Sequence, residues 1–126
     1  MAQRTDEPGA AEPVPERRWK RLSDRLADGG RLIRPDAQDY AAARLVYSRQ
    51  FDAVRPQALA RCRTVGHVRA AVEFARVEGI GFVLRSGGHS SAGYSTGTGL
   101  VIDLSGMDGV ELRDSPTGPL VAAGPG

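Results

Sequence analysis

The chain is poor in nearly every residue that builds metal or thiol chemistry. It has one cysteine, Cys62, and two histidines, His67 and His89. A disulfide within the chain is excluded, and so is a cysteine-rich zinc site. Two separated histidines without neighbouring carboxylates make a poor ligand set, so no metal is expected. Lysine is nearly absent, with one against sixteen arginines, which reads as a compositional habit. The net charge is only +2. Its excess lies in the first 35 residues, where eight basic side chains face six acidic ones. A nucleic-acid surface carries a stronger and more local bias, so no nucleic-acid partner is expected. No apolar run approaches the roughly 20 residues of a membrane span. Arg17-Arg18-Trp19-Lys20-Arg21 starts like a twin-arginine signal, but Ser23, Asp24 and Arg25 break the apolar stretch behind it. A soluble cytoplasmic protein without a membrane partner is the expectation.

What the chain does have is glycine, 16 in all, most of it from Gly79 onward. Residues 1–18 are rich in Pro, Ala, Glu and Gly without periodicity and are expected as a disordered tail. Residues 19–55 read as a helical and extended arm. In it Trp19, Leu22 and Leu26 follow helical spacing up to Gly29-Gly30, and Leu32 to Pro35 is a short extended piece. Asp39 to Gln50 reads as a helix or a turn-rich stretch.

The pattern sharpens over residues 56–126. Ala58–Cys62 alternates like a strand. Thr64 is placed to cap a helix whose face holds Val68, Ala71, Val72 and Ala75, and Gly79 closes it. Phe82–Leu84 and Leu100–Leu104 are continuous apolar runs, as in buried strands. Gly109–Arg113 and Leu120–Ala123 can pair as a hairpin. Strand, helix and strand in this order fit a βαβ unit. The fold class is α+β.

The stretch from Arg85 to Tyr94 reads Arg-Ser-Gly-Gly-His-Ser-Ser-Ala-Gly-Tyr. Gly87 and Gly88 can adopt positive φ and leave backbone N–H groups unshielded by Cβ atoms. Successive N–H groups pointing one way form a nest for an anion. Ser86, Ser90 and Ser91 add hydroxyls, and Arg85 adds positive charge. From chemistry alone this is a phosphate-binding loop or an ordinary tight turn. Neither dinucleotide fingerprint, G-x-G-x-x-G or G-x-x-x-x-G-K-[ST], occurs here. His67 lies near a helix start with nothing clustered around it.

Three linked pieces carry a resemblance. Arg85–Ser90 resembles the strand-end R-S-G-G-H-S of PCMH-type FAD-binding domains, the vanillyl-alcohol-oxidase superfamily. Ala92–Tyr94 and Gly99–Ser105 (G-L-V-I-D-L-S) follow in that family's order. Arg49–Asp52, Arg55-Pro56 and the helix from Val68 to Val72 also match. The chain is thus similar to the berberine-bridge-enzyme-like and 6-hydroxynicotine-oxidase-like enzymes, over roughly Trp19 to Gly126. Gly106 departs from the basic or polar residue usual after D-L-S.

The resemblance implies an N-terminal βαβ subdomain of a PCMH-type domain plus the start of the following sheet, with residues 56–126 a partial domain. It implies FAD as cofactor, held by Arg85, Ser86, Gly87, Gly88, His89, Ser90, Ser91, Gly93 and Tyr94. It puts His89 at the position that bonds covalently to the flavin 8α carbon. A neutral imidazole is a nucleophile, and histidine keeps a neutral fraction near pH 7. It implies an oxidoreductase that oxidises an organic substrate by hydride transfer to FAD.

In that family the substrate domain and catalytic base lie beyond the position of Gly126. No catalytic residue is therefore assigned, and the isolated chain is expected to be a truncated, inactive oxidase. Leu100–Leu104 and Leu120–Ala123 are expected to lack covering layers. A functional half with a separately encoded C-terminal partner is an alternative. So is a non-catalytic nucleotide- or anion-binding module.

Overall fold

The computed structural model describes residues 13–126. The expected tail therefore lies outside the described residues up to residue 12. Its last three residues, Glu16 to Arg18, already belong to the first helix, α1 (Glu16–Leu26). Trp19, Leu22 and Leu26 are buried on one face of α1, as their spacing predicts.

Next come strand β1 (Arg31–Ile33), a single-turn helix α2 (Tyr40–Ala43) and a 3-10 turn at Arg49–Phe51. The stretch from Asp39 to Gln50 is thus mostly turns. Strand β2 (Ala58–Arg61) leads into helix α3 (Val65–Glu78). The Thr64 hydroxyl accepts the His67 N–H and so occupies one of the helix's free donors. Gly79 ends the helix in the left-handed conformation. The buried face of α3 is Ala70, Ala71, Phe74 and Ala75, with Val68 and Val72 at its margin.

Strands β3 (Phe82–Arg85) and β4 (Leu100–Asp103) complete a four-stranded sheet of order β1-β2-β4-β3. β2, β4 and β3 are parallel, and β1 is antiparallel to β2. The βαβ unit is therefore split, because β4 inserts between the two strands that α3 connects. β1 comes from the expected arm, so the arm is part of the sheet.

The strand period of two sorts the core onto both faces. Ala58, Ala60, Cys62, Leu100 and Ile102 pack under α1 and α3. Trp19 meets Phe74 there, ring centroids 4.7 Å apart. Leu59, Val101 and Ile33 face the other side, against Tyr40 and Ala43 of α2. Each fully buried Leu or Ile contributes about 1.5–3 kcal/mol of apolar burial.

Two strand expectations need correction. Phe82–Leu84 reads as a buried strand, yet Phe82 is 41% and Leu84 51% exposed. They lie in register with Leu100 and Ile102, on the helix-covered face. β3 is the edge strand, and no β3 residue belongs to the cluster under the helices. Conversely, Leu100–Asp103 does not lack cover, because it is central and buried on both faces.

Strands β5 (Val110–Arg113) and β6 (Leu120–Ala123) form the expected hairpin as a separate two-stranded sheet. Its apolar side chains Val110, Leu112, Leu120 and Val121 are exposed. Among the described residues, no helix is long and apolar enough to cross a membrane.

Candidate functional site

The three parallel strands end together. Arg61 of β2, Asp103 of β4 and Arg85 of β3 stand in one register row. In open sheets of parallel strands, the edge beyond the carboxyl ends is where ligands bind. The loop from Ser86 to Gly99 leaves β3 at this edge.

Its root is a buried ion pair. Arg85 Nη2 donates to Asp103 Oδ2 at 3.2 Å and to the Ala43 carbonyl at 2.8 Å. Arg61 Nε lies 3.7 Å from the same carboxylate oxygen. Burial pushes the Asp103 carboxyl up, but hydrogen bonds from Ser105 and the Arg85 charge outweigh it. The net effect holds Asp103 below the usual aspartate range. In the sequence, Arg85 reads as a charge added to the loop. Its guanidinium is instead buried among Asp103 and α2, so it anchors the loop rather than lining it.

The loop itself is held by the arm. Tyr47 N–H donates to the Gly88 carbonyl at 2.9 Å. Gln50 Nε2 donates to the Ser91 carbonyl at 3.0 Å. Phe51 packs so closely on Gly93 that a Cβ there would sit 2.6 Å from the ring. Upstream, Tyr40 Oη donates to the Pro56 carbonyl at 2.6 Å, and Arg44 Nη1 to those of Asp52 and Val54. These bonds tie α2 and its end to the segment that leads into β2.

Gly88 and Gly93 have φ of +72° and +80°, a backbone that L side chains adopt at a cost. The reversal they allow leaves a run of backbone donors without protein partners. None of the backbone N–H groups from Gly87 to Ser91 donates to another protein group among the described residues. Ser86, His89 and Ser91 are exposed, and Ser90 is half-buried. Ser90 Oγ accepts the Tyr94 N–H at 3.2 Å, while the Tyr94 ring is exposed. The loop offers consecutive N–H groups and hydroxyls and carries no carboxylate, a donor set that suits an anion.

The His89 ring stacks on Tyr47, centroids 4.5 Å apart and planes 19° from parallel. Gly87 leaves room for it, since a Cβ there would lie 3.2 Å from His89 Cδ2. Three residues that hold the loop, Tyr47, Gln50 and Phe51, lie outside the stretch Arg85–Tyr94 that reads as the candidate site in the sequence. The resemblance over Arg49–Asp52 includes Gln50 and Phe51, and no motif in the sequence includes Tyr47.

The remaining candidates have structural roles. His67 is buried, and its Nδ1 accepts the Arg63 N–H at 3.1 Å. Cys62 is buried too. Burial and the nearby Asp103 charge raise its thiol pKa to about 11. The groove between α1 and α3 is spanned by ion pairs Arg18–Glu78 and Arg25–Glu73.

Comparison with known proteins identifies the family. Residues 56–126 match the family described as FAD binding domain. (R)-6-Hydroxynicotine oxidase of Paenarthrobacter nicotinovorans is 32% identical over 93 residues, covering 73% of this chain and 20% of that protein. The FAD-linked oxidoreductase pytB of Aspergillus terreus is 33% identical over 95 residues, 75% of this chain and 12% of its own length. The solved structure of BBE-like 1 from Physcomitrella patens superposes with a TM-score of 0.64 at 34% identity, covering 73% of this chain and 21% of that one. The chain thus spans about a fifth or less of the length of these relatives. It belongs to the FAD-binding domain family, in the PCMH-type group that holds the berberine-bridge-enzyme-like and 6-hydroxynicotine oxidases.

Proposed function

We propose that this chain binds FAD at the loop after β3, as the N-terminal part of an oxidoreductase acting on a small organic substrate. The cofactor's pyrophosphate lies on the N–H groups of Gly87 to Ser91, with Ser86, Ser90 and Ser91 as hydroxyl partners. The observation that carries this reading is that unpartnered run of donors, in a loop held by the arm and turned at Gly88 and Gly93. Arg85 contributes through the ion pair at the loop's root. Tyr94 lies at its far end.

We further propose His89 as the residue that bonds to the flavin 8α carbon. It projects from the loop next to the donor run, and its ring is exposed. When bound, FAD supplies the hydride acceptor for the substrate. The chain's own residues seat it and hold one end of it.

The test is direct. The full chain is mixed with FAD, denatured in acid and freed of small molecules. Yellow, fluorescent flavin is expected to remain on the polypeptide, and His89→Ala is expected to abolish it. Non-covalent binding should survive that change, because most pyrophosphate contacts are backbone N–H groups. Covalent flavin retained by His89→Ala would refute the attachment site. Loss of all FAD binding only in Gly88→Val, with a folded chain, supports the loop.

A further inference from the structure

We propose that Tyr47 is a positioning residue for His89: its ring sets the plane in which the imidazole meets the flavin. This rests on the reading of His89 given above. A histidine on an exposed glycine-rich loop is free to turn about two side-chain bonds. Here it is not free. Tyr47 covers one face of the imidazole at 4.5 Å, nearly parallel. Gly87, which has no side chain, leaves the space beside Cδ2 that lets the ring lie against Tyr47. Stacking holds the ring by its face and leaves the nitrogens, which lie on the ring edge, open to a reacting carbon.

The same residue also fixes the backbone. Tyr47 N–H is bonded to the carbonyl of Gly88, the residue before His89. Tyr47 therefore sets both the point from which His89 projects and the direction of its ring. Tyr47 is 74% exposed, so its side chain is no part of the core. An exposed aromatic with a backbone anchor and one stacked partner is explained by that partner.

The reaction it serves exchanges one hydrogen of the flavin methyl group for a carbon–nitrogen bond. One methyl C–H bond and the imidazole N–H bond are broken. The two electrons and two protons released pass to dioxygen, which becomes hydrogen peroxide. The oxidised flavin is recovered with His89 attached. An imidazole already in line needs no search for its angle, which is where positioning accelerates a reaction.

The experiment compares the unaltered full chain with Tyr47→Leu and Tyr47→Phe. Each is made flavin-free in flavin-depleted cells and then given FAD in air. Acid-stable flavin on the polypeptide is followed against time, and FAD affinity is titrated separately. Tyr47→Leu is expected to attach flavin roughly five- to tenfold more slowly, the worth of one aromatic pair. Its FAD affinity should stay within about twofold, because the pyrophosphate donors and the backbone bond remain. Tyr47→Phe should restore the full rate, since the phenyl ring stacks as well. Equal attachment rates in all three chains would overturn the role of Tyr47 alone. An unaltered chain that binds FAD but never attaches it would overturn the reading of His89, and this inference with it.

Discussion

Arg85 at the end of β3 and Asp103 at the end of β4 stand side by side, both buried, with Nη2 3.2 Å from Oδ2. The pair ties the loop's first residue to the central strand. Removing one partner leaves a buried charge uncompensated, at a cost of about 3–5 kcal/mol. Asp103→Asn should therefore destabilise the chain strongly in urea unfolding. The double change Arg85→Met with Asp103→Leu should cost less than Asp103→Asn, because no charge is then stranded. Asp103 also sets an acid limit. Its pKa is lowered in the folded chain, so its contribution is fully present above the ordinary aspartate value of about 3.9. That contribution disappears as pH falls through the lower folded value. The acid unfolding midpoint should shift when Asp103 is replaced.

Cys62 should behave as a core residue with no part in flavin attachment. Its thiol is buried beneath α1 and α3, with a pKa raised to about 11. The reactive form is the thiolate, which is then scarce at neutral pH. Alkylation of the folded chain by iodoacetamide at pH 8 should be at least about a hundredfold slower than in denaturant. Cys62→Ala should leave the amount of attached flavin unchanged in the acid-denaturation assay. Rapid labelling of the native chain would show that the α1–α3 layer opens readily.

Local features were legible in the residues. Thr64 and Gly79 bracket α3, and Gly87-Gly88 announces a loop with unshielded N–H groups. Lateral order was not. Nothing between Ala58 and Arg85 says that β4, later in the chain, slots between β2 and β3. For that reason the apolar run Phe82–Leu84 reads as buried when it lies at an edge. Arg85 misleads for the same reason. Its carboxylate partner is 18 residues away and its carbonyl partner 42. The arm's hold on the loop, Gln50 to Ser91 across 41 positions, is likewise invisible to any local pattern.

The two loop glycines with positive φ should not be equivalent. At Gly88 an added Cβ would meet Arg85 Cδ at 3.6 Å and Val46 at 3.8 Å, which is ordinary contact. Gly88→Ala then suffers only the strain of a left-handed backbone, about 1–2 kcal/mol. At Gly93 the same strain is joined by a Cβ only 2.6 Å from two atoms of the Phe51 ring. Overpacking of that kind adds about 1–3 kcal/mol. The loop end from Ser90 to Tyr94 must move, and it takes the serine donors with it. Gly93→Ala should weaken FAD binding more than Gly88→Ala does, by about tenfold or more. Phe51→Ala removes the clash and leaves the strain. Adding it to Gly93→Ala should therefore recover part of the lost affinity, while Phe51→Ala paired with Gly88→Ala should recover none. A thermodynamic cycle over the three single variants, the two double variants and the unaltered chain measures the coupling directly. Additive losses at Gly93 and Phe51 would mean that their contact does not hold the loop in its FAD-binding shape.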